Sequence, residues 1–570
     1  MALSAIGARV PWLALVFGSL LVFFVPASSI SAPKPNIILI TLGGTRADRM
    51  GFLGAKTPTP VLDALAKQSI IFERAYAQAP LTIVSHATIL SGTYPQTHRA
   101  SELGTSLPPS LPYLPDFLHA RGYRTAAFVA STQLDPRHGL ASGFERGFDT
   151  YDADLQRVKP GATSSSISPA QVVARATAWL KGRPQGPFFV WINFDAPQIL
   201  TALSYDRGVT TNDTALGGLL SALRTQKLLD DSVLAVTADH GESLGAHGED
   251  GHGIFLYDET VHVPLLVKLP QNQIAGKRVK GTVRLVDIAP TILELAGVSV
   301  PSQMQGQSLL RTARSSGDAG EPVYARADFP REAFGWSGLE SWRTGKYLYI
   351  RAPKPELYDL STDPNATHNL AQSSKAIFDT MASQLAGFDS HFEGGAKDSG
   401  LTSSEMQRLA SLGYVGLQKA APSGAAAVTG TDPKDVIADA NKALSAMRAL
   451  DEGKLDSAIT AFHLLSTAPH AYLAHYGLGV ALAQQQQYKE AIQHLHEAIE
   501  LRPDSALAQY AMGLALIKTG DFKTAAIHLE IACSRIPSFP AGHSALADTY
   551  DHLGRKEDAK NQRAKVASER

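Results

Sequence analysis

The chain has 570 residues, which is more than one ordinary hydrophobic core accommodates and predicts two or three domains. Its 44% hydrophobic and 18% charged residues are typical of a globular protein and exclude a chain that is disordered throughout. Lysine and arginine together number 52 and aspartate and glutamate 53, so no basic excess indicates a nucleic-acid partner.

The first 32 residues carry a targeting signal. Arg9 precedes an apolar run from Val10 to Val25, and small residues follow that run. The run is shorter than the roughly 20 residues that a membrane-spanning helix needs, and its layout is that of a secretory signal peptide. Residues 1–32 therefore predict export to the periplasm or the cell exterior. An uncleaved N-terminal anchor is the alternative, and we expect membrane association only in that case.

Residues 33–320 alternate strand-like and helix-like segments, which predicts an α/β domain with a mostly parallel sheet sandwiched by helices. The chemistry of such sheets lies beyond the carboxyl ends of the strands. Candidate site residues follow the predicted strands that end near Leu42, Ile192 and Thr237. The predicted strands are residues 36–42, 125–130, 188–192 and 232–237, and the predicted helices are residues 113–121, 172–181 and 216–229.

A smaller α+β subdomain is predicted over residues 321–416, where residues 345–350 and 357–364 are strand-like. Residues 417–432 are rich in alanine, glycine, serine and threonine, which indicates a flexible linker. The sequence period changes after this linker.

Residues 433–570 carry an internal repeat. Pro469, Pro503 and Pro537 recur every 34 residues, and Gly479 and Gly513 share this spacing. A 34-residue helix–turn–helix period is the tetratricopeptide signature, so we predict an all-α solenoid of three to four repeats. Stacked repeats present a concave groove, which predicts a protein or peptide partner.

The single cysteine, Cys533, excludes an internal disulfide and a cysteine metal cluster. It falls in a predicted repeat helix, at a position that suits a small apolar residue. We therefore expect its thiol to be buried in the packing of the repeats.

Several segments of residues 34–416 resemble the sulfatase family in order and spacing. The clearest are PNIILITLGGTRAD at 35–48, PLTIVSHATILSG at 80–92 and TADHGESLGAHGEDGHG at 237–253. Further matching segments are residues 57–66, 356–370 and 412–416. The resemblance implies an alkaline-phosphatase-like fold and a metal-assisted hydrolase of sulfate or phosphate esters, with an anionic ester as substrate.

The resemblance implies roles for individual residues. Thr82 stands at the nucleophile position, although a threonine before Ser-His is by itself more often a helix N-cap. Asp239 and His240 stand at metal-ligand positions, with Thr82 beside the ion. The implied cofactor is a divalent metal ion, calcium or else zinc or manganese, which would neutralise the ester oxygens and lower the nucleophile's pKa.

Further roles are implied for histidines and carboxylates around this centre. His252 matches a position that binds the ester or protonates the leaving group, and imidazole suits general acid work. His86 stands where many relatives have arginine, so it either contacts the ester oxygens or supports the loop. Asp195, His247 and Asp48 are secondary candidates.

The sequence departs from the family pattern at two positions near the predicted metal. Gly43 replaces an aspartate ligand, which should lower metal affinity by orders of magnitude unless another group such as Asp48 moves in. Gln198 replaces a histidine, and glutamine cannot transfer a proton as imidazole does. Val84 and His86 also replace the proline and arginine of the formylglycine context, so Thr82 favours phosphoryl transfer over formylglycine-type sulfate cleavage.

These departures leave two hypotheses. The first is an exported metal-dependent hydrolase of sulfate or phosphate esters, impaired by the loss of the ligand at Gly43. The second is a catalytically degenerate binding or scaffold protein that acts through its tetratricopeptide repeats. Under the second hypothesis, a Gly43→Asp change should restore metal binding or activity.

Overall fold

A computed structural model of the chain describes most residues between 34 and 568. The described ranges are residues 34–104, 106–138, 140–153, 167–182, 186–197, 201–315, 320–392, 401–412, 414, 428–468 and 471–568. The predicted targeting segment, Gln198, Pro469 and most of the predicted linker lie outside them, and the domain boundaries stay predictions. Contacts group the chain from Pro35 onward into one compact unit. Over these ranges, we find no helix with both the length and the apolar character for a membrane crossing.

The central sheet has eight strands within the described residues. They are β1 (Asn36–Leu42), β2 (Ile70–Tyr76), β3 (Arg124–Val129), β4 (Thr150–Asp152), β5 (Phe188–Phe194), β6 (Ser232–Ala238), β7 (His262–Lys268) and β8 (Arg278–Arg284). Their spatial order is β4-β3-β5-β1-β6-β7-β2-β8. The first five strands of that order are mutually parallel, and β7 runs antiparallel to both neighbours. The mostly parallel sheet predicted from the sequence is confirmed.

The central strand β1 lies between β5 and β6, and the side chains of residues 37–42 are all buried. A strand in the middle of a parallel sheet is covered on both faces, so it needs apolar residues at successive positions rather than at alternate ones. This explains the unbroken apolar run of the sequence.

The helices of this part of the chain alternate with the strands. They are α1 (Pro60–Ala66), α2 (Thr82–Ser91), α3 (Pro95–His98), α4 (Leu114–Ala120), α5 (Pro169–Gly182), α6 (Ala202–Thr225), α7 (Asp258–Val261), α8 (Ile288–Leu295), α9 (Leu309–Arg314), α10 (Phe329–Phe334), α11 (Lys375–Asp389) and α12 (Ser403–Ser411). All ten residues of α2 are buried, so this helix belongs to the core rather than to the surface.

Helix α6 begins well before the predicted helix 216–229. Thr201 and Ser204 form a capping box at its start, and the helix ends at Thr225. Threonine, asparagine and aspartate are weak helix formers, and they occupy much of the first half of α6. The sequence pattern therefore predicts only the second half of this helix. Tertiary contacts hold the first half, because the Tyr205 hydroxyl donates to the Gly44 carbonyl at 2.8 Å and accepts from the Arg46 amide at 2.9 Å.

A second, antiparallel sheet lies in the predicted subdomain. Its strands are β9 (Val323–Ala327), β10 (Leu339–Thr344), β11 (Tyr347–Arg351) and β12 (Glu356–Asp359). The two predicted strand-like segments correspond to β11 and to β12 with the turn after it.

The C-terminal region consists of paired helices. They are α13 (Ile437–Asp451), α14 (Leu455–Ser466), α15 (Tyr472–Gln484), α16 (Tyr488–Leu501), α17 (Ala506–Thr519), α18 (Phe522–Arg535), α19 (Pro540–His552) and α20 (Lys556–Ser568). A Cβ added at Gly479 would lie 2.6 Å from Leu495 Cγ, and one at Gly513 would lie 2.6 Å from Leu529 Cγ. The repeated glycines therefore let the two helices of a pair approach closely. The predicted all-α repeat of paired helices is confirmed, and Cys533 is buried as expected.

Candidate active site

The candidate site lies where three neighbouring strands end. The register pairs Leu42 of β1 with Phe194 of β5 and with Ala238 of β6. The next residues along these strands are Gly43, Asp195 and Asp239, so they leave the sheet side by side. The expectation that the strand ends would form one site at this edge agrees with that register.

Asp239 lies at the centre of this edge and is fully buried. Its Oδ1 accepts from the amides of Gly44 at 2.9 Å and His240 at 2.8 Å. Its Oδ2 has no hydrogen-bond partner among the described residues and lies 3.5 Å from His240 Nε2 and 3.7 Å from His86 Nδ1. Burial raises the pKa of the Asp239 carboxyl, although the nearby histidines and the two amides oppose the shift. One carboxylate oxygen is therefore left to balance a positive charge.

Thr82 is the first residue of α2, and its hydroxyl lies 3.2 Å from His240 Nε2. His240 Nδ1 lies 2.7 Å from the Gly241 carbonyl, which can only accept, so Nδ1 carries the proton. Burial, together with the charge of His252, lowers the pKa of His240 to about 3. The ring is therefore neutral, and its Nε2 lone pair accepts the hydrogen of the Thr82 hydroxyl. This is the arrangement of a nucleophile and its base.

His252 stands next to this pair, with its ring centroid 4.2 Å from that of His240. Its Nδ1 donates to Glu242 Oε2 at 2.9 Å. Burial opposes protonation, but the charge and hydrogen bond of Glu242 outweigh it and raise the pKa of His252 to about 9. Its side chain is 28% exposed, whereas that of Glu242 is fully buried. His252 is thus a cationic, accessible group that can bind an anion or donate a proton.

His86 is fully buried and has partners at both ring nitrogens. Its Nδ1 donates to the Thr82 carbonyl at 2.7 Å, and its Nε2 lies 2.9 Å from the Thr41 hydroxyl. That hydroxyl accepts from Trp191 and Asn193, so it donates its own hydrogen to His86. Burial lowers the pKa of His86 despite the nearby Asp239, so the ring is neutral. Of the two roles expected for His86, the geometry favours support of the Thr82 turn over contact with the ester.

Glu102 is a site residue that sequence reasoning missed. Its Oε1 accepts from the Ile83 amide at 2.6 Å, at the N-terminus of α2, and its Oε2 has no partner within the described ranges. Burial raises the pKa of this carboxyl to about 7. A carboxylate here competes with an anionic substrate for the positive end of the helix. No motif marks Glu102, because it reaches the site only through its contact with the N-terminus of α2.

The three secondary candidates, Asp48, His247 and Asp195, make contacts with residues other than Thr82, His240 and His252. Asp48 pairs with Arg46 at 2.7 Å and with Arg49 at 3.1 Å, and its side chain is half exposed. His247 stacks on Tyr257 with ring centroids 3.6 Å apart. The backbone of Asp195 packs against Gly43, and its carbonyl accepts from Asn212 at 3.3 Å.

The side chains present do not supply the divalent-metal site that the resemblance implies. In the described part of the chain, no group of three or more histidine, cysteine, aspartate or glutamate side chains is arranged to hold a metal ion. A Cβ added at Gly43 would lie 2.7 Å from the Ala196 nitrogen, and the Gly43 amide donates to the Phe194 carbonyl at 2.8 Å. The backbone that follows β5 therefore fills the space of the missing aspartate. The predicted ligands Asp239, His240 and Thr82 converge, but the set is incomplete.

Gly43→Ala should lower the free energy of unfolding by about 1–3 kcal/mol, because its Cβ overlaps the backbone after β5. Gly43→Asp should cost more and should not restore a metal site, contrary to the expectation from the sequence. Equilibrium denaturation measures both variants. Gly387→Ala is the control, since an added Cβ there meets open space in a helix. If Gly43→Asp is as stable as the wild type, the space beside Gly43 is open in solution.

Comparisons with known proteins agree with this fold. The family model for sulfatases matches residues 35–298, and one described as "N-sulphoglucosamine sulphohydrolase, C-terminal" matches residues 248–390. A model for the TPR repeat matches residues 479–520.

The alignments with individual relatives span most of the length of each relative. An ulvan-active sulfatase of Formosa agariphila is 25% identical over 62% of this chain and 80% of its own. Arylsulfatase K of Xenopus laevis is 23% identical over 60% of this chain and 79% of its own. A solved structure, the phosphonate monoester hydrolase of Agrobacterium radiobacter, superposes with a TM-score of 0.53 at 20% identity. The superposition covers 63% of this chain and 96% of the phosphonate monoester hydrolase, and it supports the fold alone.

Proposed function

Because the chain belongs to the sulfatase family, a family of sulfuric ester hydrolases, we propose that it hydrolyses an anionic sulfate or phosphate ester at Thr82. The observation that carries this proposal is the hydrogen bond from the Thr82 hydroxyl to His240 Nε2 at 3.2 Å. It provides a nucleophile with a base, inside a site whose accessible histidine is cationic.

The reaction follows from the positions of these groups. Thr82 Oγ attacks the phosphorus or sulfur atom while its proton passes to His240 Nε2. The imidazolium so formed lies 3.5 Å from Asp239 Oδ2, the carboxylate oxygen that has no hydrogen-bond partner. His252 donates its Nε2 proton to the departing ester oxygen, since Glu242 engages Nδ1. In the second step the now neutral His252 removes a proton from a water molecule, which attacks the acid ester of Thr82. The His240 imidazolium returns its proton to Thr82 Oγ as the inorganic anion leaves, so the hydroxyl and both histidines regain their starting states.

Sulfatases normally use a divalent metal ion, which would supply charge for the ester oxygens and a lower nucleophile pKa. In this chain the donor set is incomplete at Gly43. We therefore assign activation of the nucleophile to His240 and charge compensation to His252. The proposed location is outside the cytoplasm, on the strength of residues 1–32 alone.

Removal of divalent ions should lower turnover by less than about threefold. A metal that polarises the ester is worth several kcal/mol, so a metal-dependent enzyme would lose about 10³-fold or more. The test dialyses the purified chain against a chelator and assays aryl sulfates, aryl phosphates and aryl phosphonates, with a metal-dependent phosphatase treated in parallel. A loss as large as that of the parallel enzyme would show that a metal site forms after all.

A second candidate function is recognition of an anion or a partner without turnover. The closed space beside Gly43 favours it, as does Glu102, which occupies the helix N-terminus. Titration calorimetry with inorganic sulfate and phosphate separates the two candidates. Binding of either anion by a wild-type protein that hydrolyses none of the esters would favour this second function.

A further inference from the structure

The tetratricopeptide repeats pack against the hydrolase part of the chain. Helix α15 contacts α10, and α19 contacts the short turn Pro136–His138. The Ser106 hydroxyl donates to the Arg535 carbonyl at 2.6 Å, at the end of α18. Helix α13 reaches the loop of residues 243–252, which ends at His252. The first helices of three helix pairs thus rest on the chain's own hydrolase part.

The loop 243–252 has a strained backbone. Leu244 and His247 adopt positive φ angles of 54° and 52°, a backbone conformation that residues other than glycine rarely adopt. Two backbone bonds cross the loop: the Ser243 amide donates to the Gly251 carbonyl, and the Gly245 amide donates to the Glu249 carbonyl, each at 2.9 Å. Such strain persists only where surrounding groups over-determine the conformation. The loop therefore depends on its contacts for its shape.

Asn441 of α13 holds the tip of this loop from outside. Its Nδ2 donates to the Gly248 carbonyl at 2.8 Å, and its Oδ1 accepts from the Asp250 amide at 3.1 Å. The amide group thus binds the backbone on both sides of Glu249. This two-point contact fixes the loop in one orientation.

Two apolar residues flank Asn441 on the same face of α13. Ile437 lies four positions before it, with Cγ2 3.4 Å from a Cβ built on Gly248. Leu444 lies three positions after it, with Cδ1 3.8 Å from a Cβ built on Gly251. One helix face therefore covers the loop from Gly248 to Gly251.

A second contact of the repeats is made with α10, a helix that packs against the residue after His252. Phe329 of α10 lies 3.7 Å from a Cβ built on Gly253, the residue after His252. The Glu332 carboxylate of the same helix lies 3.8 Å from the guanidinium of Arg502, the residue that follows α16. The repeats thus contact the loop before His252 directly and the residue after it through α10.

We infer that the repeat array is a built-in part of the active site, in which Asn441 is a positioning residue that holds the loop carrying His252. The inference rests on the proposed function, since it assigns Asn441 a role through the acid His252. It also identifies the hydrolase part of the same chain as what these repeat helices bind.

The test compares Asn441→Leu with Asn441→Asp in the full chain. Leucine removes both hydrogen bonds, whereas aspartate keeps the acceptor for the Asp250 amide and loses the donor to Gly248. We expect Asn441→Leu to lower kcat about tenfold with little change in KM, and Asn441→Asp to fall between. The loss should be larger for phenyl esters than for p-nitrophenyl esters, because a misplaced acid matters most for poor leaving groups.

Lys442→Ala is the matched control, one residue along the same helix. Lys442 is exposed and bonds to Asp439, so its loss should leave kcat unchanged. Hydrogen exchange of the Asp250 amide gives a readout that does not need turnover, and it should quicken about tenfold or more in Asn441→Leu.

An unchanged exchange rate in Asn441→Leu would overturn the inference, whatever the activity. Faster exchange with an equal kcat loss for both leaving groups, or with none, would also overturn it. A wild-type protein that hydrolyses none of the esters would defeat the proposed function alone. The exchange rate would then decide by itself whether Asn441 holds the loop.

Discussion

Thr82→Val should lower kcat/KM for the hydrolysed ester by at least about 10³-fold, whereas Thr82→Ser should keep activity within about tenfold of the wild type. Valine has nearly the shape of threonine but no hydroxyl, so it removes the nucleophile without opening a cavity. Serine keeps the hydroxyl next to His240. Steady-state kinetics on the aryl sulfate and phosphate panel measure both variants, and thermal unfolding shows whether they fold.

This pair separates chemistry from architecture. Thr82 is 9% exposed at the start of a fully buried helix, so a general packing defect would affect both variants. An active Thr82→Val protein would exclude Thr82 as the nucleophile. In the active wild type, detection of a covalent ester on Thr82 by mass spectrometry would support Thr82 as the nucleophile.

His252→Gln should lower kcat about 10²- to 10³-fold for esters with poor leaving groups. The loss should be much smaller for p-nitrophenyl esters, whose leaving group departs without protonation. Glutamine can still bind an ester oxygen but cannot transfer a proton. A series of substituted phenyl esters measures this dependence. An equal loss across the series would make His252 an anion-binding group rather than the acid.

The pH dependence of the same variant has a definite sign. The acid must be protonated, so activity should fall as pH rises through the His252 pKa of about 9, and this limb should vanish in His252→Gln. Because the folded pKa lies above the ordinary value of 6.5, protonation of His252 favours the folded state. That stability is fully present below about pH 6.5 and is lost as pH rises through about 9. Denaturation of both proteins at pH 6 and pH 10 checks it.

Much of the fold could be predicted from the sequence because its determinants are local. Apolar runs marked β1, β3, β5 and β6, and the 34-residue spacing of Gly479 and Gly513 marked the repeats. The early turns of α6 escaped prediction, since weak helix formers there are held by the contact of Tyr205 with Gly44.

The residues of the candidate site were also predictable in part. Thr82, Asp239, His240 and His252 stand in recognisable segments, and the structure brings them together. Glu102 carried no signal, and the role of His86 stayed open, because both depend on neighbours from other parts of the chain.

The fold class, the repeat period and the candidate residues could all be derived from the amino-acid sequence, since side-chain periodicity and residue type are local properties. The contacts between those residues depend on the tertiary structure. The closed space at Gly43 depends on backbone more than 150 positions further along the chain. The hydrogen bond from Thr82 to His240 joins residues that are similarly far apart in sequence. The hold of Asn441 on the loop before His252 spans a similar separation. Such contacts form only when distant segments pack, so no local pattern encodes them.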